Sequence, residues 1–147
     1  MNELTKRAKA IQALASPQLY ADTAPIFTDV EEWKEIQLKL ATELAELEKL
    51  HGNTPEEEGE IVLAILMGYC IAVRNGKKVM QALQRAGQVI HQLDDELLKC
   101  KLAVHCYMED PDEELQNMAS SLIEKLRQQG KENEIQPLES LMKQFIK

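Results

Sequence analysis

Apolar residues recur every three or four positions along most of this chain, and in one stretch the periodicity disappears. From Ile61 to Val73 thirteen successive residues carry no charge, and most are aliphatic. A helix that is apolar on every side must be covered on every side, so the remaining helices are expected to pack around this one. Its start is marked by Thr54-Pro55-Glu56-Glu57-Glu58. Thr54 suits the N-cap, Pro55 the first helical position, and Glu57 the reciprocal partner of a capping box. Gly68 in mid-helix costs about 1 kcal/mol relative to Ala, which close approach of a neighbouring helix would offset. Asn75-Gly76 is read as the stop. The run is too short for a membrane span, which needs roughly 17–25 residues, and Glu60 and Arg74 close its ends.

Six amphipathic segments flank this element. Leu4, Ala8, Ile11 and Leu14 define a first helix over about 3–15, ended by Ser16-Pro17. Residues 17–27 are irregular, but Leu19, Tyr20, Ile26 and Phe27 suggest a loop packed on the core. A second capping box, Thr28-Asp29-Val30-Glu31, opens a helix with the stripe Trp33, Ile36, Leu40, Leu44 and Leu47, running to about Leu50. Val79, Leu83, Ala86, Ile90 and Leu93 mark the fourth helix. After Asp94-Asp95, the segment Leu97–Met108 is apolar on several sides. Asp110-Pro111-Asp112-Glu113 reads as N-cap, Pro and acid before the stripe Leu115, Met118, Ala119, Leu122, Ile123 and Leu126, which Gly130 ends. Leu138, Leu141, Met142, Phe145 and Ile146 give a last short helix. The expectation is an all-α fold of about seven helices in antiparallel hairpins, 54–93 and 95–130 among them, closed as a bundle or stacked as a short repeat around the central helix.

Bulk properties narrow the class. A chain of 147 residues suits one domain, with 1–16 and 131–147 as peripheral helices. Aromatics are 4% and the formal net charge is −8. That charge opposes direct binding to phosphate backbones or an anionic membrane; it is compatible with a basic protein partner and equally with acidity that serves solubility alone. Cys70, Cys100 and Cys106 form no disulfide framework, and no signal-peptide pattern occurs at the N-terminus; both fit a cytoplasmic protein.

Chemistry is sparse. His91, Cys100, His105 and Cys106 invite a metal site, but Cys100 and Cys106 stand about 240° apart around a helix and no paired-ligand motif exists. Cys106 beside His105 is no catalytic pair, because adjacent helical residues diverge by about 100°. Phosphate-cradling loops, nucleophile elbows and dinucleotide fingerprints are absent. No catalytic residue, cofactor or metal is therefore assigned. The basic clusters Lys6-Arg7-Lys9, Arg74/Lys77/Lys78 and Lys99/Lys101 lack interleaved aromatics and read as solvated faces; the second, at a helix corner, is a possible protein contact.

Some blocks are less generic. Pro55-Glu56-Glu57-Glu58 followed by Leu66-Met67-Gly68-Tyr69 resembles the UpxZ family of transcription anti-terminator antagonists. So do Leu97-Leu98-Lys99-Cys100-Lys101-Leu102, Cys106-Tyr107, Glu109, Asp112-Glu113-Glu114-Leu115 and the upstream Pro25-Ile26-Phe27-Thr28-Asp29. The likeness spans about residues 20–128 and departs from the family pattern at Met108 and Pro111. The resemblance implies a cytoplasmic regulator encoded in a capsular polysaccharide locus of a gut anaerobe. Such a regulator opposes NusG-like antiterminators of other loci by protein binding, without chemistry. Within the resembling blocks, Glu58, Lys99, Glu109, Asp112 and Glu113 are polar residues at helix corners and stand as candidate partner contacts, with helix capping as the competing account. The alternative function is a generic helical-hairpin scaffold, similar to tetratricopeptide units, or a homodimerising adaptor.

Overall fold

The computed structural model describes residues 3–19, 30–71 and 76–145, and among them every regular element is helical. The elements are α1 (Glu3–Leu19), α2 (Val30–Leu47), α3 (Pro55–Ile71), α4 (Gly76–Val89), α5 (Glu96–Glu109), α6 (Glu113–Gln128) and α7 (Glu132–Phe145), with a 3-10 turn over Ile90–Gln92. The expected all-α architecture of seven helices is the one observed. The packed loop of 17–27, the Thr28 capping box, the side chain of Trp33, and Ala72 to Asn75 fall wholly or partly outside the described residues.

α3 is the hub. Every residue from Ile61 to Gly68 is buried, and α1, α2, α4 and α5 all pack against this helix. Each fully buried aliphatic side chain stabilises the fold by roughly 1.5–3 kcal/mol. The predicted close approach at Gly68 occurs against α2: a Cβ there would lie 2.6 Å from Leu44 Cδ2, and Leu44 is itself fully buried. α3 pairs with α4, and α5 with α6. α1, expected at the periphery, makes the most extensive helix contact in the molecule, along α3. Ala8, Ile11 and Ala15 are buried there, and Gln12 Nε2 donates to the Glu60 carbonyl at 3.1 Å. Ile135, Leu138, Leu141 and Met142 bury one face of α7 against α5 and α6.

Some boundaries differ from the sequence reading. Pro17 does not end α1, which continues to Leu19. Pro17 lies near the end of the helix, where its missing N–H and its crowding of the carbonyl four back affect only the last turn. α2 stops at Leu47 rather than Leu50. α6 is capped by Asp112 and not by Asp110. The Asp110 N–H donates to the Cys106 carbonyl at 2.9 Å and closes α5, while the Gln116 N–H donates to the Asp112 carbonyl at 2.9 Å, so the first intrahelical bond of α6 starts from Asp112. α7 begins at Glu132, well before the apolar stripe that announced it, and contains Pro137. Gly130 does end α6, with φ of 80°, and Lys131 N–H returns to the Leu126 carbonyl at 3.0 Å.

Candidate protein-interaction surface

The five candidate contacts fall in three places. Glu58 lies in the first turn of α3, inside a clasp built around Arg85 of α4. Arg85 Nε donates to Glu58 Oε2 and Arg85 Nη2 to Glu58 Oε1, both at 2.9 Å. The same guanidinium donates to the Leu50 carbonyl at 2.7 Å, just beyond the end of α2. Gly52 N–H donates to Glu58 Oε1 at 2.9 Å, and there is no room for a side chain at Gly52 against the Glu58 backbone. Burial by itself would raise the Glu58 carboxyl; the Arg85 hydrogen bonds and charge, with the Gly52 donor, outweigh it and hold the group below its ordinary value. The Glu58 carboxylate is thus engaged in joining α3, α4 and the chain after α2.

The capping box next to it is a variant of the expected one. Thr54 Oγ1 accepts from the Glu57 N–H at 3.2 Å, but the Glu57 carboxylate accepts from the Asn53 N–H at 2.7 Å rather than from Thr54.

Glu109, Asp112 and Glu113 share the corner between α5 and α6. Asp112 Oδ1 accepts from the N–H groups of Glu114 and Leu115 at 2.8 and 3.2 Å, which commits that carboxylate to capping. Glu113 is exposed. With Tyr107, Pro111, Gln116 and Asn117, these two acids line a shallow open depression. Lys99 is half-buried and sits on α5 ten residues before Glu109, about 15 Å away along the axis. The structure therefore brings three of the five together and leaves Glu58 in a separate cluster.

His105 and the cysteines are explained by packing. His105 is 2% exposed, and burial, assisted by Lys101, pushes its pKa down to about 4. Burial pushes the thiols of Cys100 and Cys106 up to about 12, so both stay protonated near neutral pH and Cys106 is a poor nucleophile. Cys100 Sγ lies 4.0 Å from the Ala119 carbonyl oxygen, a weak donor contact between α5 and α6. Among the described residues no group of three or more His, Cys, Asp or Glu is placed to hold a metal, and no helix is long and apolar enough to cross a membrane.

Sequence reasoning missed two polar junctions and one groove. Glu48 joins α2, α3 and α4, accepting from the Tyr69 hydroxyl at 2.7 Å and pairing with Lys78 Nζ at 2.8 Å. Arg127 on α6 holds Glu124, Glu132 and Glu139 at 3.0, 3.0 and 2.6 Å, tying α7 to α6. Glu48 meets partners 21 and 30 residues away, and Arg127 reaches Glu139 in the next helix; such cross-helix pairs leave no periodic trace, although a lone Arg85 in the glutamine-rich α4 was a usable hint. The groove opens between α1 and α2 and is lined by residues from Glu3 to Leu14 together with Lys39 and Glu43.

The described polar clusters serve as helix caps and inter-helix clasps in an all-helical protein. Comparison with known proteins agrees. The sequence profile of the UpxZ family of transcription anti-terminator antagonists matches residues 8–108, and the chain belongs to that family. The fold is similar to the crystal structure of a transcription anti-terminator antagonist UpxZ from Bacteroides uniformis ATCC 8492. The TM-score is 0.80 at 28% identity, covering 99% of this chain and 96% of that one. No curated protein matches the chain. The matched profile starts inside α1 and stops within α5, earlier at both ends than the 20–128 expected from the blocks, while the structural likeness takes in α6 and α7 as well.

Proposed function

We propose that this protein is a non-catalytic cytoplasmic regulator that binds NusG-like antiterminators of other capsular polysaccharide loci and so opposes their action. The observation that carries this reading is membership of the anti-terminator antagonist family over residues 8–108. The net charge of −8 supports a protein partner over nucleic acid, because it repels phosphate backbones and steers basic protein surfaces into contact. Base-stacking platforms need aromatic side chains, and only 4% of this chain is aromatic. Lys99, Glu109, Asp112 and Glu113 around α5 and the α5–α6 corner are the proposed charged contacts. Glu58 and Asp112 rank below the other three, because Arg85 and Gly52 occupy one carboxylate and helix capping the other.

The test is capture of purified NusG-like proteins by the immobilised full-length chain, with capsule leader RNA as competitor. Binding to at least one antiterminator is expected, weakening as salt is raised. Joint charge reversal, Lys99→Glu with Glu109→Lys, should weaken it without loss of helicity. Binding to none of the antiterminators, or to leader RNA alone, would show the assignment to be mistaken. A helical scaffold or self-associating adaptor would appear instead as an unrelated protein partner or a concentration-dependent dimer.

A further inference from the structure

The corner between α5 and α6 carries charge of one sign. From Glu109 to Glu114 every residue but Pro111 is acidic. Helix capping accounts for part of this. Both capping N–H groups converge on Asp112 Oδ1, and Asp112 Oδ2 has no partner among the described residues. Glu113 is exposed, and its carboxylate likewise makes no hydrogen bond or ion pair among them. The positive end of a helix dipole amounts to roughly half a charge. The carboxylates of Asp112, Glu113 and Glu114 at the start of α6 exceed it. His91 lies 3.9 Å from Glu114, which is not one of the residues lining the depression at this corner.

Tyr107 adds a feature that has nothing to do with capping. It is 6% exposed, and its hydroxyl has no hydrogen-bond partner among the described residues. The Tyr69 hydroxyl, by contrast, donates to Glu48 at 2.7 Å. Buried hydroxyls are as a rule hydrogen-bonded, and leaving one without a bond costs free energy. Tyr107 lines the depression, about 480 Å³ in volume, together with Asp112, Glu113, Gln116, Asn117 and Pro111. No lysine or arginine shares that lining. Carboxylates, amide oxygens and a phenol thus supply acceptors beside the apolar surfaces of a tyrosine and a proline. Such a set is complementary to a flat cation with several donors. Arginine presents five N–H donors in a planar fork that stacks on aromatic rings, whereas lysine is a point charge with three. A divalent metal is disfavoured, because among the described residues no three acidic or metal-binding side chains are placed to hold one.

We propose that the α5–α6 corner seats an arginine side chain of the antiterminator, its guanidinium held by Glu113 and Asp112 Oδ2 and donating to the Tyr107 hydroxyl. The proposal rests on the functional reading above and adds the place and chemistry of the contact. Tyrosine and arginine are the residues that most often anchor the desolvated centre of an interface. Lys99 and Glu109 do not line the depression, and act around it. The Tyr107 hydroxyl, unused in the free protein, gains its bond on binding.

The experiment uses the full-length chain and an antiterminator that the wild type captures. Tyr107→Phe removes the hydroxyl alone and should raise Kd about fivefold or more, while the free variant melts at or above the parent temperature. Glu113→Gln, at an exposed position, should raise Kd about tenfold with unchanged melting. Glu134→Gln, an exposed acid in the first turn of α7, removes the same charge elsewhere and should leave Kd within about twofold. The exposed arginines of the antiterminator are then replaced by alanine one at a time. One of these replacements should cost about tenfold against the wild type and less than about twofold against Glu113→Gln, the signature of a direct pair. Wild-type affinity in both Tyr107→Phe and Glu113→Gln would overturn the proposal while leaving the functional reading intact. So would coupling of Glu113 to a lysine instead of an arginine, or binding that a metal chelator abolishes. A lower melting temperature for Tyr107→Phe would show the hydroxyl to be bonded within the fold, which also refutes it. Failure of the wild type itself to capture any antiterminator removes the functional reading and the arginine site together.

Discussion

Gly68 shows how a single position constrains its surroundings. In mid-helix a glycine is unfavourable by about 1 kcal/mol, and it is tolerated here because the Leu44 side chain occupies the space a Cβ would take. Leu44 is fully buried and has no solvent side to move toward. Gly68→Leu is therefore expected to overpack the α2–α3 contact and destabilise the protein by on the order of 1–3 kcal/mol. Urea denaturation checks this, and a variant with the parent's midpoint would contradict the packing argument. Arg85 makes the opposite point. It was unremarkable in the sequence, yet its guanidinium spans Glu58 and the Leu50 carbonyl, contacts that exist only after three helices have assembled.

At the scale of the element, local signals were reliable where one motif competed with no neighbour. Thr54-Pro55 opens α3 as expected, Asp95 caps α5, and Gly130 ends α6. The corner of Asp110 and Asp112 was misread because two aspartates flank one proline and either suits a cap. Asp110 closes α5, and Asp112, in extended conformation, accepts from Glu114 and Leu115 through its carboxylate and from Gln116 through its carbonyl. Asp112→Ala should accordingly cost about 1 kcal/mol, whereas Asp110→Ala should cost a few tenths at most. Paired denaturation curves settle the assignment, and an equal loss in both variants would refute it. α7 runs through Pro137 for a tertiary reason: burial of Ile135 and Leu138 favours helix on either side of the proline.

The whole molecule carries a pH signature. His105 has a pKa of about 4 in the fold, against an ordinary 6.5, because burial disfavours the imidazolium. Below pH 6.5 the unfolded chain takes up a proton that the folded chain resists until about pH 4. Stability is thus complete above 6.5 and declines as pH falls through that window, by on the order of 2–3 kcal/mol from this group. Glu48 and Glu58, held below 4.5 by their cationic and hydrogen-bonding partners despite partial burial, lose their contribution only at lower pH. Glu60, raised by burial, acts in the opposite sense and gains when protonated. Denaturant titrations at pH 7, 5.5 and 4.5 should show the decline, and His105→Leu should flatten it between 6.5 and 4.5. An unchanged slope in that variant would place the pH dependence elsewhere.

From the sequence alone came the all-α class, the number of helices, the buried centre at α3 and the family. The reason is that these rest on local periodicity and on short contiguous blocks such as Leu66-Met67-Gly68-Tyr69. Which helices touch, and what each charged side chain is for, was decided only by the tertiary structure. Glu58 and Glu113 look alike in sequence, as acids in first helical turns. One lies clasped by Arg85, 27 residues away, and the other faces solvent. The groove lined by Lys6 of α1 and Lys39 of α2 exists only where these two helices come together. That is a property of how two helix axes sit on a third, and no spacing within either helix encodes it.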